Sequence, residues 1–435
     1  ANIFHTTILS LHSMDRKGEK VVLAYSGGLD TSVILKWLAE KGFEIICYCA
    51  NVGQVGEDFE AVRAKALSAG AKKVYIEDLR EEFVKGYIFE AVKANAIYES
   101  RYLLGTSIAR PCIAKRQVEI ARIEGAKFLA HGATGKGNDQ VRFEMCAQAL
   151  DATITTIAPW REPEFIERFK GRSDLLEYAK VNGIPVSSTP KANYSIDENL
   201  YHTSYESGML EDPACPPPES MFKMSVSPEA APDVPEMIRI EFDEGIPIKV
   251  TNLSDNTVKT GALELFEYLN LVAGRNGIGR VDIVENRFVG IKSRGVYETP
   301  GGTLLREAHL DLEGICLDRE VVRVRDMFSS EWARLCYYGF WFAPEMELVK
   351  NAINFASKDV RGSVDLKCYK GNVIVVGRSS DRSLYSADLA SMEIESGGAT
   401  IDYDPSHAQG FIRINSTRLK AYNLLRGCPT QLNDK

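Results

Sequence analysis

A serine- and glycine-rich segment near the start of the chain has the composition of a phosphate-binding loop. Residues 26–32 (SGGLDTS) follow a short apolar run and open a helical pattern. Adjacent glycines let backbone N–H groups approach an anion, and the hydroxyls of Ser26, Thr31 and Ser32 add hydrogen-bond donors. The N-terminus of the following helix contributes positive partial charge. The segment therefore predicts a site for a doubly charged oxyanion.

The spacing of this segment excludes two common nucleotide motifs. No Gly-Lys-Ser/Thr stands at Walker A spacing, and Gly27 and Gly28 are adjacent rather than set as G-x-G-x-x-G. In a plainer alternative, the glycines form an ordinary turn and Asp30 caps the helix. The phosphate-binding interpretation is favoured because the segment lies between a predicted strand and a predicted helix.

A second glycine segment, residues 131–139 (HGATGKGND), also follows a predicted strand. It is not a Walker A loop, because Gly137 is followed by Asn138 rather than lysine. Two such loops at one edge of a sheet can face each other across a cleft, one for phosphates and one for substrate groups. Arg142 lies three residues further on and could bind a carboxylate bidentately; the alternative is a surface arginine.

Short apolar runs separated by helical patterns must position these loops. The runs are residues 21–25, 44–50, 73–76, 127–130 and 154–158, and the clearest helical patterns are 30–41 and 59–69. Alternation of buried strands and crossover helices predicts a mostly parallel α/β sheet covered on both faces. Ligands then belong at the carboxyl ends of the strands.

The second half of the chain has a different pattern. Residues 211–237 hold seven of the seventeen prolines, which predicts a connector or long surface loop. Beyond it, strand-like segments (237–242, 246–251, 364–369, 372–376) and helical ones (262–273, 330–338) predict an α+β region. Residues 414–425 have amphipathic spacing, which suits an ordinary surface helix and a subunit-clasping arm about equally.

Composition narrows the class of protein. The chain has 435 residues, 45% hydrophobic and 26% charged, with a net charge of −8, so we expect two or three globular domains and no non-specific nucleic-acid binding. No apolar run is long enough to predict a membrane span. The nine scattered cysteines form no C-x-x-C pair, which favours a reducing compartment and a cytoplasmic location. The start of the chain is too weakly patterned for a signal peptide, and a targeting remnant stays open.

The loop SGGLDTS resembles the PP-loop of the ATP pyrophosphatases, which cleave ATP between its α and β phosphates. Further blocks narrow the resemblance to the argininosuccinate synthase family: residues 102–111 (YLLGTSIARP), 131–144 (HGATGKGNDQVRFE), 158–160 (APW), 195–200 (SIDENL) and 284–300 (VENRFVGIKSRGVYETP). The similarity runs from about residue 20 to the C-terminal tail. Two alternatives share only the loop with this chain. They are other PP-loop enzymes, such as amidotransferases and thiolases, and a non-catalytic nucleotide sensor.

The resemblance implies the residues of the ATP site. Ten residues would line the ATP site. Four of them, Ser26, Asp30, Thr31 and Ser32, would take part in the chemistry. The ten residues are Ala24, Tyr25, Ser26, Gly27, Gly28, Leu29, Asp30, Thr31, Ser32 and Ala50. A second group would close over the nucleotide: His131, Gly132, Ala133, Thr134, Gly135, Lys136, Gly137 and Asn138. His131 itself is more typical of a structural residue at a strand end than of a base, and Asp30 suits a helix cap and a magnesium-pyrophosphate contact equally well.

The resemblance also implies the binding residues for citrulline and aspartate. Citrulline would contact Tyr102, Ser107, Asn138, Arg142, Ser195, Ser204, Glu285 and Tyr297. Aspartate would lie on Thr134, Asn138 and Asp139, where Asp139 fits only if it meets the α-ammonium group. A plainer alternative for Glu285 is a buried ion pair with Arg287 or Arg294.

The family implies an AMP-forming ligase of arginine biosynthesis and the urea cycle. The reaction joins citrulline to aspartate through citrullyl-AMP, with Mg²⁺ accompanying ATP, no dedicated protein metal site, and a homotetramer with C-terminal arms. The expected domains are an N-terminal extension (1–19), a nucleotide-binding domain (20–190), a synthetase and multimerisation domain (191–405) and an oligomerisation tail (406–435).

Overall fold

A computed structural model describes residues 16–185, 194–390 and 404–426 of the chain. Its backbone divides into two compact units, residues 1–382 and 383–435. Most of the predicted N-terminal extension, and the predicted boundary at residues 190 and 191, lie outside the described residues. The bounds of the four predicted domains therefore stay predictions.

The first part of the larger unit alternates strands and helices, as its pattern predicts. Its strands are β1 (Lys20–Ala24), β2 (Glu44–Asn51), β3 (Lys73–Asp78), β4 (Phe128–Ala130) and β5 (Thr155–Ile157). Its helices are α1 (Leu29–Glu40), α2 (Phe59–Ser68), α3 (Arg80–Phe83), α4 (Phe89–Lys93), α5 (Gly105–Glu124), α6 (Asp139–Leu150), α7 (Pro163–Arg168) and α8 (Arg172–Val181). A π-helical turn, Val84–Ile88, joins α3 to α4.

The first five strands form one parallel sheet in the order β3-β2-β1-β4-β5. The predicted α/β fold class is confirmed. Strand β1 lies in the centre, and the crossovers run to β2 on one side and to β4 on the other. The loops after β1 and β4 therefore diverge at the switch point of the sheet, where α/β proteins place their ligands. Both glycine segments begin there.

The second part of the larger unit is α+β. Its strands are β6 (Ser195–Glu198), β7 (Thr203–Glu206), β8 (Glu236–Asp243), β9 (Ile246–Asn252), β10 (Val258–Lys259), β11 (Arg280–Asn286), β12 (Lys292–Glu298), β13 (Gly362–Tyr369) and β14 (Asn372–Ser379). Its helices are α9 (Ala262–Arg275), α10 (Pro300–Cys316), α11 (Arg319–Tyr338) and α12 (Pro344–Ala356). Helix α11 is longer than the predicted segment 330–338, and Asp318, the residue before it, accepts hydrogen bonds from the N–H groups of Glu320 and Val321.

Two antiparallel sheets organise this part, in the orders β10-β9-β8-β13-β14 and β11-β12-β7-β6. The proline-rich stretch before β8 forms loops and short 3₁₀ turns, Gly208–Glu211 at its start and Glu219–Met221 within it, as its composition predicts. One buried apolar cluster includes Tyr48 of the parallel sheet, Tyr102 before α5 and Leu304 of α10. Both parts of the larger unit therefore share a core.

The smaller unit holds α13 (Ala387–Ala390) and α14 (His407–Arg426). Helix α14 includes the amphipathic segment 414–425 that the sequence predicts to be helical. None of its residues is buried, and its exposed apolar side chains include Phe411, Ile414, Leu424 and Leu425.

Candidate active site

The first glycine segment forms a tight loop between β1 and α1. Gly27 has a φ of +74°, which disfavours any residue with a side chain, and a Cβ there would lie 3.0 Å from Val62 Cγ2. Lys65 of α2 donates from Nζ to the Gly27 carbonyl at 2.6 Å. Helix α2 therefore supports the loop through Lys65, and the loop leads directly into the N-terminus of α1.

The hydroxyl groups of the loop have different environments. Ser26 is exposed, and its Oγ lies 3.3 Å from Thr31 Oγ1. Ser32 is fully buried and donates to the Gly28 carbonyl at 2.7 Å, with Tyr25 Oη 2.9 Å from its Oγ. Ser26 is therefore placed to meet a ligand, whereas Ser32 fixes the shape of the loop.

The second glycine segment lies directly against the first. A Cβ on Gly132 would come within 2.9 Å of Thr31 Cγ2, so this glycine permits the close approach. His131 is buried at the end of β4, where its Nδ1 accepts from the Ala133 N–H at 3.3 Å. The Gln140 amide donates to the Gly135 carbonyl at 2.6 Å. These contacts fit the structural role predicted for His131.

A cleft of about 420 Å³ opens between the two loops. Nine residues of the predicted ATP site line it: Ala24, Tyr25, Ser26, Asp30, Thr31, Ala50, His131, Gly132 and Ala133. Five carboxylates also line it, those of Asp30, Glu57, Asp139, Asp197 and Glu198, with Arg110 as the arginine among the lining residues. A polyanion bound there would need further positive charge. Thr134, Gly135 and Lys136 are exposed in the second loop.

Several residues of the predicted citrulline site meet in a second, buried cluster. We call Tyr102, Arg142, Glu285, Tyr297 and Tyr337 the tyrosine cluster. Tyr297 donates its hydroxyl to Glu285 Oε2 at 3.0 Å, and Tyr337 donates to Oε1 at 2.6 Å. The rings of Tyr102 and Tyr297 stack with centroids 4.4 Å apart. Residues from both parts of the larger unit thus surround one carboxylate.

The alternative interpretation of Glu285 as half of an ion pair is wrong. Arg287 pairs with Glu206 at 2.5 Å, and Arg294 pairs with Asp282 at 2.6 Å. Burial raises the pKa of Glu285, and the hydroxyls of Tyr337 and Tyr297 partly oppose that rise. Among the described residues, the hydrogen-bond donors to this buried carboxylate are two neutral hydroxyl groups, so it is suited to receive a cation from a ligand.

Arg142 connects the cleft to the tyrosine cluster. It is 4% exposed, so the alternative of a surface arginine is wrong. Its Nη1 donates to Asp139 Oδ1 at 2.9 Å, and its Nε donates to the Tyr337 carbonyl at 3.0 Å. Arg110 continues the chain of alternating charges, with Nη2 2.7 Å from both Asp139 Oδ2 and Asp197 Oδ2. Burial alone would raise the pKa of Asp139, but the two arginines outweigh it and lower it.

Two buried polar atoms near the cluster have no hydrogen-bond partner among the described residues. They are Ser107 Oγ and His202 Nδ1. Ser107 lies in the first turn of α5, and Pro111 has no N–H to donate to its carbonyl. His202 Nε2 lies 2.9 Å from Thr106 Oγ1. The start of α5 therefore keeps polar groups available beside the cluster.

The structure places the remaining predicted residues around this region. Ser204 of β7 pairs with Tyr297 of β12 across the sheet. Asn138 is buried, and its Oδ1 accepts from the Phe288 N–H at 3.0 Å. Ser195 is exposed at the start of β6. Its partner across the sheet is Glu206 of β7, two residues beyond Ser204.

Sequence reasoning missed Arg110, Asp197 and Tyr337 as members of the site. Arg110 and Asp197 stand inside the blocks that carry the family resemblance, so the pattern of charges in those blocks could have identified them. Tyr337 lies near the end of α11, far from any recognised block, and no local signal points to it.

Within residues 16–185, 194–390 and 404–426, no group of three or more His, Cys, Asp or Glu side chains could hold a metal ion. No helix in the same ranges is long and apolar enough to cross a membrane.

A central parallel strand followed by a phosphate-type glycine loop, with a second glycine loop across the switch point, defines an α/β nucleotide-binding enzyme of the PP-loop class. Two family models match the chain: the arginosuccinate synthase N-terminal HUP domain over residues 20–185 and the arginosuccinate synthase C-terminal domain over residues 194–422. The chain belongs to the argininosuccinate synthase family, and it is an ATP-using, AMP-forming ligase.

Curated relatives match over nearly their full length. Argininosuccinate synthase of Thermotoga sp. (strain RQ2) is 58% identical over 408 residues, which cover 94% of this chain and 98% of the relative. The Mus musculus enzyme of the same name is 55% identical over 413 residues, 95% of this chain and 98% of the relative. The Danio rerio enzyme is 55% identical over 407 residues, 94% and 97% of the two chains.

Proposed function

We propose that this chain condenses citrulline with aspartate at the expense of ATP, through a citrullyl-AMP intermediate, and releases AMP and pyrophosphate. The observation that carries the proposal is the continuity of two sites. The phosphate loop lines a cleft, Asp139 also lines it, and Arg142 joins Asp139 to the tyrosine cluster. A nucleotide and an amino acid bound in these places would meet near Asp139.

The chemistry requires activation of the ureido group. Its carbonyl is a poor electrophile because nitrogen donation stabilises it, so the ureido oxygen first attacks the α-phosphorus and pyrophosphate leaves. The amine of aspartate then attacks the activated carbon, and AMP leaves with the former ureido oxygen. The protein forms no covalent bond, so its contribution is alignment and charge stabilisation.

The amides of residues 26–32 and the N-terminus of α1 suit the pyrophosphate portion of ATP. Glu285 suits the α-ammonium group of citrulline, because it is buried, accepts two hydroxyl donors and forms no ion pair with any residue that the structure describes. Thr134 and Asn138 suit the carboxylates of aspartate. Arg110 and Arg142 keep Asp139 negatively charged, and this charge suits the ammonium group of the substrate aspartate.

Magnesium fits this site as a companion of the nucleotide. Mg²⁺ is usually held by one or two carboxylates together with substrate phosphates rather than by an all-protein cage, and Asp30 stands in the phosphate loop. When bound, the ion would supply positive charge to the phosphates in a cleft lined by five carboxylates.

Assembly and location complete the proposal. We assign a homotetramer, with α14 as an arm that covers apolar side chains on a second copy, because Phe411, Ile414, Leu424 and Leu425 are exposed along it. All eight described cysteines are free thiols, which supports a reducing compartment such as the cytoplasm.

An isotope experiment tests the proposed reaction. Citrulline labelled with ¹⁸O in the ureido group is incubated with ATP, aspartate and the enzyme, and the products are analysed by mass spectrometry. The account predicts argininosuccinate, pyrophosphate, and AMP that carries one ¹⁸O atom. Unlabelled AMP would contradict the citrullyl-AMP intermediate, and the absence of argininosuccinate would contradict the ligase activity.

A further inference from the structure

One residue outside the family blocks touches both charged groups of the tyrosine cluster. Tyr337, in the last turn of α11, is fully buried. Its hydroxyl donates to Glu285 Oε1 at 2.6 Å. Its carbonyl accepts from Arg142 Nε at 3.0 Å, and its ring lies 5.0 Å from the Arg142 guanidinium carbon. Tyr337 therefore contacts both a carboxylate and a guanidinium group, and the charge of Arg142 acts on Glu285 to lower its pKa.

This arrangement matches the head group of an α-amino acid. A free amino acid carries an ammonium and a carboxylate group on the same carbon, so its recognition needs an acid and a base at a fixed separation. We propose that Tyr337 is a positioning residue that orients Glu285 relative to Arg142 and thereby sets the preference of the citrulline site for a zwitterion. This inference rests on the proposed function and assigns to it a residue that acts through Glu285.

The position of Tyr337 is itself fixed by stacking. Its ring lies face to face with that of Tyr98, with centroids 3.7 Å apart and an interplanar angle of 5°. Tyr98 in turn donates its hydroxyl to the Asn286 carbonyl at 2.8 Å, and Asn286 follows Glu285 in β11. The Tyr337 hydroxyl is thus aimed at Glu285 from a ring that is braced on the strand carrying that carboxylate.

The two hydroxyls on Glu285 have distinct tasks. Tyr297 lies on β12 directly beside β11, so its bond to Oε2 is local to one sheet. Tyr337 comes from a helix and binds the other oxygen, which fixes the rotation of the carboxylate plane. Loss of the Tyr337 hydroxyl would leave Oε1 buried without its donor and free the carboxylate to turn.

The experiment compares citrulline with 5-ureidopentanoate, which is citrulline without its α-amino group. In Tyr337→Phe, the citrulline KM should rise about 10- to 100-fold, as expected for loss of a hydrogen bond to a charged group. The inhibition constant of 5-ureidopentanoate against citrulline should change less than about threefold, because that ligand has no ammonium group for Glu285 to bind. The kcat and the ATP KM should also stay within about threefold of the wild-type values.

The matched control is Tyr205→Phe. Tyr205 donates to Glu298 Oε2 at 2.6 Å, a second buried tyrosine–glutamate bond. It pairs with Val296 and so lies on the opposite face of the sheet from Ser204 and Tyr297. This variant should lose thermal stability without a change in citrulline KM.

Each outcome decides the inference. A rise of the citrulline KM alone supports a role in zwitterion recognition. An equal rise of the citrulline KM and of the 5-ureidopentanoate inhibition constant, or no change in either, overturns the inference. If turnover is too low to measure, calorimetric titration of both ligands gives the same decision. A wild-type enzyme with no citrulline-dependent activity would instead contradict the proposed function.

Discussion

The ATP cleft and the tyrosine cluster are built by different means. The cleft is open, and its shape comes from backbone: two glycine loops that touch where Gly132 meets Thr31. The tyrosine cluster is closed, and its shape comes from side chains of β11, β12 and α11 around Glu285. The open cleft suits a ligand that binds together with its counter-ions, whereas the closed cluster suits a small amino acid.

This difference separates two kinds of specificity. Backbone amides bind any phosphate of the right charge, so the phosphate loop alone cannot identify the second substrate. A buried carboxylate held by two tyrosines rejects ligands without a cation, because their binding leaves the charge unpaired. We therefore expect changes in the tyrosine cluster to alter the choice of substrate and changes at the cleft to alter nucleotide use.

The largest expected effect is at the junction of the two sites. A Cβ on Gly105, the first residue of α5, would lie 2.1 Å from His202 Cγ, inside the buried core. We expect Gly105→Ala to cost about 3 kcal/mol or more of unfolding free energy, because neither the helix nor the ring has room to move. Urea unfolding measures the loss. Gly86→Ala is the control, since a Cβ there meets nothing within 4 Å, and equal stability of both variants would contradict this packing.

The next effect should be confined to the tyrosine cluster. Glu285→Gln keeps the shape of the side chain but removes the charge that would bind the citrulline ammonium group. We expect the citrulline KM to rise about 100-fold or more and the ATP KM to stay nearly constant. Steady-state kinetics with each substrate varied in turn provide the measurement. An unchanged citrulline KM would remove Glu285 from the site.

A third effect concerns pH and the core beside the cluster. Burial, with Arg110 and Arg142 nearby, lowers the pKa of His202 from 6.5 to about 3. Between these values the unfolded chain binds a proton that the native chain does not, so stability falls as the pH falls below 6.5. Relative to His202→Asn, the wild-type protein should lose about 1.4 kcal/mol of unfolding free energy between pH 7.5 and 5.5. A difference that does not vary with pH would show that His202 has the same pKa in the native and the unfolded states and would contradict its lowered pKa.

The smallest effect should be confined to the cleft. Lys65 supports the phosphate loop through the Gly27 carbonyl without lining the cleft. We expect Lys65→Met to raise the ATP KM about five- to tenfold, with the citrulline KM unchanged, as fits one lost charged hydrogen bond. Lys72→Met is the control, because Lys72 is 69% exposed and its ion-pair partner is Glu44. A larger change in the citrulline KM than in the ATP KM would contradict the separate roles of the two sites.

The sequence predicts the cleft well because its signals are local. The phosphate loop, the strand before it and the helix after it are contiguous in residues 20–40, and the same holds for the second loop after β4. Glycine spacing and strand patterning report directly on such a unit. The parallel sheet and its switch point follow from the alternation of strands and helices.

The tyrosine cluster could be predicted only in part, because its contacts are long-range. Glu285 and Tyr337 are 52 positions apart, and their side chains meet only because the folded chain brings the end of α11 to β11. Reasoning from nearby charges suggested Arg287 or Arg294 as partners of Glu285. Arg294 pairs with Val284 across the sheet and so lies on the opposite face from Glu285, and Arg287 follows the end of β11 and pairs with Glu206 instead. The burial of Arg142 likewise depends on α11, which no pattern around residue 142 could reveal.

The central claim is that the phosphate loop and the tyrosine cluster serve one reaction, and pyrophosphate–ATP exchange tests it most directly. Labelled pyrophosphate is incubated with ATP and enzyme, with citrulline and aspartate added separately. The account predicts exchange that requires citrulline, does not require aspartate, and is lost in Glu285→Gln at a citrulline concentration that saturates the wild-type enzyme. Exchange of equal rate without citrulline, or none with it, would contradict the account.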